Sequence, residues 1–300
     1  MTRRRPRSAA GMVPVLALAA LAGCSGGSGQ GQATSTTSPL AALGASGTIK
    51  PAVRPVNKSV WFAGFKITMG AATLHQVASG SRRVDIDATF ANEGSDQVSI
   101  GAPLELVSGG QHYQIDAATA QLPQVPGKST ATGLLSFDVG QDFSLDDAVV
   151  TFGRPAHQQA TVPLGSAGRL VTLQPVPLKV GGSVASGVFK LDLTGGEIRS
   201  DSLRNYVEAD TGKRFLSVAF NLSSTKSENF SGANLALQWP DGTTVAPDDA
   251  PVVIVDPGPG QQNQTARFTV TDPPTGTYNL ALIDDSVTPN VRATLAVPVP

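Results

Sequence analysis

The stretch VDIDATF, residues 84–90, decides the fold class of this chain. Its apolar side chains fall on every second residue, from Val84 to Phe90, and polar side chains stand between them. Successive side chains of a β-strand point to opposite faces of a sheet. The period of two therefore predicts a strand with one buried face and one face in water.

The same alternation recurs along the rest of the chain, at residues 216–222, 280–282 and 291–297. Turn-forming sequences that contain glycine or proline separate these segments, such as SGG at 108–110 and DG at 241–242. No window longer than ten residues after the N-terminal segment keeps a helical period. We therefore predict an all-β fold with antiparallel strands, because parallel sheets need crossover helices.

The strands belong to two copies of one module. Residues 58–69 align with residues 182–193 at an offset of 124 (182 − 58), and residues 104–106 align with residues 235–237 at an offset of 131 (235 − 104). The increase of seven residues (131 − 124) predicts an insertion in the second copy, between residues 198 and 214. Internal repeats of this length indicate tandem domains.

The N-terminus carries the pattern of an export signal. Residues 1–7 contain four arginines and no acid, and the apolar run that follows, residues 9–22, is shorter than the roughly 20 residues that span a bilayer. It ends in LAGC, residues 21–24, which resembles the lipobox of bacterial lipoproteins. That resemblance implies cleavage before Cys24, a diacylglycerol on its sulfur, and a location on the extracytoplasmic face of the cell membrane. The export route, Sec or twin-arginine, stays open.

Cysteine content and charge exclude several classes of protein. Cys24 is the single cysteine of 300 residues, so the chain forms no internal disulfide and no Cys-based metal site. The formal net charge is −1, and removal of the four signal arginines leaves −1 − 4 = −5. Because nucleic-acid binding depends on basic phosphate contacts, we expect no nucleic-acid partner. The sequence predicts no cofactor.

These features divide the chain into four parts. A lipoprotein signal peptide covers residues 1–23, and a flexible, Gly/Ser/Thr-rich linker begins at the lipidated cysteine and covers residues 24–52. Two modules follow, over residues 53–174 and 175–300. Short strands in copies of this length are typical of immunoglobulin-like sandwiches. The prediction is thus two tandem immunoglobulin-like antiparallel β-sandwiches after a signal peptide and a disordered linker.

A family resemblance points the same way. The run PGKSTATGLLSFDV, residues 126–139, after the NEG turn at residues 92–94, resembles the immunoglobulin-like extracellular domains of Gram-positive and actinobacterial surface lipoproteins. These are related to small secreted mycobacterial β-sandwich antigens. The resemblance covers most of the first copy and the second copy more loosely. It implies a fold and a location, and its motifs are structural rather than catalytic.

We find no motif for catalysis. The three histidines, His75, His112 and His157, all lie in the first copy, and no G-x-S-x-G elbow surrounds any serine. We therefore predict that the chain is not an enzyme. A hydrolase that uses His112 or His157 would require one of them to lie beside a serine and an aspartate.

Acidic pairs offer a calcium alternative, best at Asp248, Asp249 and Asp256. The chain has no D-x-D-x-D-G run, and acids at loop edges more often cap turns. The main prediction is therefore that no metal is bound.

The insertion, residues 199–214, is the predicted binding segment. It contains Arg199, Arg204 and Tyr206, and Arg and Tyr are enriched at binding hot spots. Trp239, at a hairpin tip, is either a cover for the core or a fourth binding residue, whereas Trp61 is expected inside the core.

The functional prediction is a membrane-anchored protein without enzymatic activity. It binds or scaffolds another envelope protein and is attached to the membrane through its N-terminal lipid. The alternatives are a carrier of a small ligand, with a deep apolar cleft between the modules, a calcium-binding carrier, and a passive spacer.

Overall fold

The computed structural model describes residues 51–77, 81–101, 103–284 and 291–300. The predicted signal peptide, Cys24 and nearly all of the predicted linker lie outside the described residues. Apart from one short 3-10 turn at Gly232–Asn234, the elements of the described part are strands. The all-β prediction is therefore confirmed. Within these residues, no helix has the length and apolarity to cross a membrane.

We call the residues of the first ten strands the first module. Its strands are β1 (Ala52–Phe62), β2 (Phe65–Gln76), β3 (Arg82–Asn92), β4 (Val98–Ser99), β5 (Leu104–Ser108), β6 (Gln111–Gln114), β7 (Gln124–Val125), β8 (Thr130–Val139), β9 (Val149–Phe152) and β10 (Ala160–Pro163). One sheet has the order β1-β2-β3-β8 and the other has the order β10-β9-β5-β6. All of these strand pairs are antiparallel.

The remaining strands form the second module. They are β11 (Val176–Leu178), β12 (Gly182–Ser186), β13 (Phe189–Arg199), β14 (Lys213–Ser224), β15 (Glu228–Phe230), β16 (Leu235–Gln238), β17 (Thr244–Val245), β18 (Val253–Val255), β19 (Gln261–Thr271), β20 (Gly276–Asp284) and β21 (Val291–Val299). One sheet has the order β11-β13-β14-β19, with β12 also paired to β13, and the other has the order β17-β16-β20-β21.

The two modules share one strand order. The β2-β3-β8 part of the first module corresponds to β13-β14-β19 of the second, and β10-β9-β5-β6 corresponds to β21-β20-β16-β17. In each module a small two-stranded sheet, β4-β7 or β15-β18, lies beside the larger ones. The predicted repeat is thus visible in the topology. The finer assignment to immunoglobulin-like sandwiches stays a prediction, which this shared order favours.

Each module buries its own apolar faces. One cluster of buried side chains runs from Val56 to Leu173 and the other from Leu178 to Val299. Phe137 and Phe268, which lie 131 residues apart (268 − 137), are both 0% exposed and occupy equivalent strands, β8 and β19. In both modules, buried side chains therefore alternate with more exposed ones along the strands, as the period of two in the sequence predicts.

Strand pairing gives the register between β3 of the first module and β14 of the second. Ile86 of β3 pairs with Leu135, and Val218 of β14 pairs with Ala266, which lies 131 residues after Leu135 (266 − 135). Ile86 therefore corresponds to Val218, an offset of 132 (218 − 86). By the same offset Phe90 corresponds to Leu222.

Candidate functional site

The insertion lies against the first module. It connects β13 to β14 through residues 200–212, whereas the equivalent connection of the first module covers only residues 77–81. The backbone N–H of Gln158 donates to the carbonyl of Ala209 at 2.8 Å, and the N–H of Thr211 donates to the carbonyl of Ala156 at 3.1 Å. Main-chain hydrogen bonds thus join the two modules.

A buried arginine forms the centre of this junction. Arg199 is 4% exposed. Its Nε donates to Asp201 Oδ1 at 2.8 Å, and its Nη1 donates to Glu93 Oε2 of the first module, also at 2.8 Å. Burial alone would lower the pKa of Arg199, but the carboxylates of Asp201, Glu197 and Glu93 outweigh it and raise the pKa above its ordinary value. The guanidinium is therefore held charged.

Asp201 connects this arginine to the first module. It is 3% exposed, and its second carboxylate oxygen, Oδ2, accepts a hydrogen bond from the backbone N–H of Gly64 at 2.6 Å. A buried carboxylate is costly unless its oxygens are paired. Here Oδ1 accepts a hydrogen bond from Arg199 of the second module, and Oδ2 accepts one from Gly64 of the first module.

Tyr206 supplies a second contact between the modules. Its hydroxyl donates to the carbonyl of Asp96 and accepts from the N–H of the same residue, both at 3.1 Å. Its ring lies 6.4 Å from the ring of Phe65. A Cβ added at Gly64 would lie 2.6 Å from the tyrosine ring, and one added at Gly94 would lie 2.1 Å from its hydroxyl. Both glycines therefore make room for this side chain.

These contacts bear on two of the predicted binding residues. Arg199 was expected to face another protein, but it is buried against the first module of the same chain. Tyr206 also binds the first module but is half-buried, so its contact with a partner stays a prediction. Arg and Tyr are favoured at any buried polar interface, whether it lies within one chain or between two. Arg204 has a side chain that is 73% exposed and forms an ion pair with Asp249, so it remains a candidate for partner binding.

The two tryptophans are also placed by the structure. Trp239 is half-buried and packs on the second core, with its ring 6.5 Å from that of Tyr278. It covers the core, and the alternative role as an exposed binding residue is not supported. Trp61 was expected inside the first core, but it is half-buried on the outside of the sheet, where its Nε1 donates to Glu93 Oε1 at 3.0 Å.

A cleft of about 560 Å³ opens beside this network. Its wall includes Trp61, Glu93 and Lys128 of the first module, Pro175 of the connecting segment, and Arg199 of the second module. The wall is mostly polar and carries both signs of charge, in contrast to the deep apolar cleft that would favour a carrier of an apolar ligand. The site is therefore suited to a polar ligand or to the surface of a partner.

The histidines lie apart from this junction or on its edge. His75 Nε2 lies 3.5 Å from Asp85 Oδ2, and Ser136 donates to the other oxygen of Asp85 at 2.6 Å. In a hydrolytic triad the histidine stands between serine and aspartate, whereas here the aspartate stands in the middle. His112 lies 3.0 Å from Glu105, and His157 lies 3.1 Å from Asp210.

The acids considered for calcium have separate partners. Asp248 accepts from the hydroxyl of Thr269 at 2.7 Å, Asp249 pairs with Arg204, and Asp256 accepts from Ser227 at 2.7 Å. Over the ranges that the structure describes, no group of three or more metal-ligating side chains is arranged to hold an ion.

Sequence reasoning missed the first-module half of the junction. Glu93, Gly94 and Asp96 lie in the turn after β3, which was noted only as part of a family resemblance. Gly64 lies between β1 and β2, with a positive φ of 76°. None of these residues forms a motif, because each acquires its role from a segment more than 100 residues away in the sequence.

Comparison with known proteins adds little to this geometry. No family model matches the chain, and no curated protein matches it. Among solved structures, this chain is similar to a crystal structure of a conserved hypothetical protein from Bacillus anthracis. The alignment covers 38% of this chain and 98% of the Bacillus chain, with 14% sequence identity and a TM-score of 0.29. The functional proposal below therefore rests on the residues of this chain.

Arg199→Ala is expected to lower the free energy of unfolding by about 3–5 kcal/mol, because it leaves buried carboxylates without their cation. The matched control is Arg204→Ala, which removes an exposed ion pair and should cost about 0–1 kcal/mol. Denaturant titration followed by circular dichroism measures both. Equal losses in the two variants would contradict the central role of Arg199.

Glu208 should make the junction sensitive to pH. It lines a second depression, of about 460 Å³, together with His157 and Tyr206, and burial raises its pKa above that of an exposed glutamate. A carboxyl group whose folded pKa is raised binds more protons in the folded state. Stability therefore falls as pH rises from the unfolded pKa through the folded pKa.

Glu208→Gln removes the loss of stability that ionisation of Glu208 causes as pH rises. The variant is expected to be more stable than the parent at about pH 7, and the difference should shrink toward zero at about pH 3. Thermal melts across this range measure the difference. A stability difference that stays constant with pH would contradict the assignment.

Proposed function

We propose that this chain is a lipid-anchored, extracytoplasmic protein without enzymatic activity, which binds or scaffolds another envelope protein. The anchor is Cys24, and the Gly/Ser/Thr-rich segment of residues 24–52 follows it in the sequence. The two modules act together as one binding unit.

The observation that carries this proposal is the junction between the modules. Arg199 and Asp201 place buried charges against the first module, and Tyr206 fills the space above its glycines. Buried charged networks are seldom the cheapest way to stabilise a fold, because apolar packing serves as well. Their attested use is to fix one arrangement over others. A fixed arrangement matters when a partner contacts both modules at once.

The exposed side of the insertion is the proposed contact. While Arg199 and Tyr206 turn toward the first module, Arg204, Asn205 and Val207 are exposed. Val207 is an exposed aliphatic side chain, at 43%. An arginine and an aliphatic side chain on a segment held by buried anchors form a preorganised surface, which lowers the entropic cost of binding.

The remaining alternatives rest on weaker observations. The polar wall of the cleft does not favour a carrier of apolar ligands. The separate partners of Asp248, Asp249 and Asp256 do not favour a calcium carrier. A passive spacer would not require the junction to fix the orientation of its modules.

Cys24→Ser tests the anchor. The variant should be lost from the membrane fraction of cells and should lack the mobility of the lipidated form, because serine offers no sulfur for the diacylglycerol. Fractionation and metabolic labelling with a fatty acid measure this. If the variant stays in the membrane fraction, a different segment anchors the protein, and the assignment of Cys24 as the anchor is wrong.

Photocrosslinking in the native cell tests the partner. Probes at Asn205 and Val207 should each capture the same envelope protein, and a probe at the exposed Thr294 of β21 should not. Mass spectrometry of the adducts identifies the captured protein. No adduct at positions 205 and 207, or the same adducts at all three positions, would refute binding through the insertion.

A further inference from the structure

The outer face of the β1-β2-β3-β8 sheet carries a row of hydroxyl groups. Ser59 pairs across the sheet with Thr68, Thr68 pairs with Thr89, and Thr89 pairs with Thr132. Each of the four strands thus contributes one hydroxyl at the same level. Neighbouring strands lie about 4.8 Å apart, so the row extends over about 14 Å.

A second row runs beside the first. Trp61 pairs with Lys66, Lys66 with Ala91, and Ala91 with Thr130. Each of these residues lies two positions from a member of the hydroxyl row, and residues two apart point to the same face of a sheet. The face therefore combines one indole ring with a line of hydroxyls. Lys66 Nζ lies 5.2 Å from the centre of that ring.

The surface over both rows is hollowed. The 560 Å³ cleft includes Trp61, Ala91 and Thr130, and a separate depression of about 400 Å³ includes Thr68, Thr89 and Thr132. The second depression is also lined by Gly70, where a Cβ would lie 3.3 Å from the Cβ of Asp87 on the outer face, so the absent side chain leaves the surface open there. The two depressions follow one another along the same face.

We propose that this face binds a neutral carbohydrate chain. One sugar ring lies against Trp61, and the next sugar units of the chain lie along the hydroxyl row. Serine and threonine hydroxyls both donate and accept hydrogen bonds, as sugar hydroxyls do. An indole ring offers an apolar face to the C–H groups of a pyranose and keeps a polar edge. The distance between strands is close to the length of one sugar unit, so successive units can meet successive strands.

The charges of this face are balanced, which favours a ligand without net charge: Lys66 lies in the second row, and the exposed Asp87 lines the second depression. Glu93, the acid nearest to Trp61, is paired with Arg199, and the backbone carbonyl of Glu93 accepts from Lys128. No line of unpaired cations is available among the described residues of the two rows, so a polyanion is a poor match.

A protein partner is also a poorer match for this face than a sugar. The large apolar side chains that are exposed in the described part of the chain are Val53, Leu170, Val176, Val207, Val252 and Ile254. None of them belongs to either row, so Trp61 is the one aromatic anchor that the rows offer to a protein, and it is half-buried with its Nε1 already bonded to Glu93. This inference goes beyond the proposed function and uses a different surface, so either can fail without the other.

Tryptophan fluorescence provides the test, since the chain has only Trp61 and Trp239. The full-length protein in detergent is titrated with a panel of neutral oligosaccharides that includes cellotriose, chitotriose and maltotriose. Trp239→Phe leaves Trp61 as the single reporter, and thermal melts verify that this variant is folded. If it is not, the wild-type signal is compared with that of Trp61→Phe, which should lose the response.

We expect a saturable change in fluorescence with at least one oligosaccharide of the panel. Thr89→Val and Thr132→Val remove only hydroxyls and should weaken binding tenfold or more. The matched control is Thr294→Val, an exposed strand threonine of the second module, which should leave binding unchanged.

Three results would overturn the proposal. The first is the absence of a saturable response across the panel, and the second is a response that the two threonine variants do not alter. The third is a photocrosslinker at position 132 that captures a protein in cells, which would assign the face to a protein partner instead.

Discussion

The carboxylate of Asp201 is the interaction on which the arrangement of the two modules depends. One oxygen accepts from Arg199, and the other accepts from the backbone of Gly64 in the first module. A charge that is 3% exposed must keep all its partners, because the loss of any one leaves it desolvated and unpaired. Any rotation of one module against the other would break such a contact, so the network defines one orientation.

Two glycines allow the second contact to form. Gly64 and Gly94 lie under the ring and hydroxyl of Tyr206, at positions where a Cβ would overlap that side chain. The backbone of the first module is therefore shaped to receive a side chain of the second. Since the hydroxyl of Tyr206 bonds both the N–H and the carbonyl of Asp96, this contact is directional as well as close-packed.

Local patterns predicted the fold well and the site poorly. The alternation from Val84 to Phe90 predicts which side chains face the core, because it depends on neighbouring residues alone. The change in repeat offset locates the insertion, because the two copies keep similar sequences on both sides of it. What the insertion contacts depends on Glu93 and Gly64, which are distant in sequence and carry no motif. Trp61 was misjudged for a different reason: it stands between Val60 and Phe62, which face the core, so the period of two itself places the indole on the outer face, where it bonds Glu93.

The junction also restricts where recognition can occur. Arg199 and Asp201 are buried by contacts within the chain, so these two side chains are unavailable to the proposed partner, whereas Tyr206 is half-buried. What remains is the exposed side of the insertion and the outer face around Trp61. Glu93 links these two surfaces, because its carboxylate holds both the indole of Trp61 and the guanidinium of Arg199. The junction between the modules and the half-buried indole of Trp61 therefore share one carboxylate.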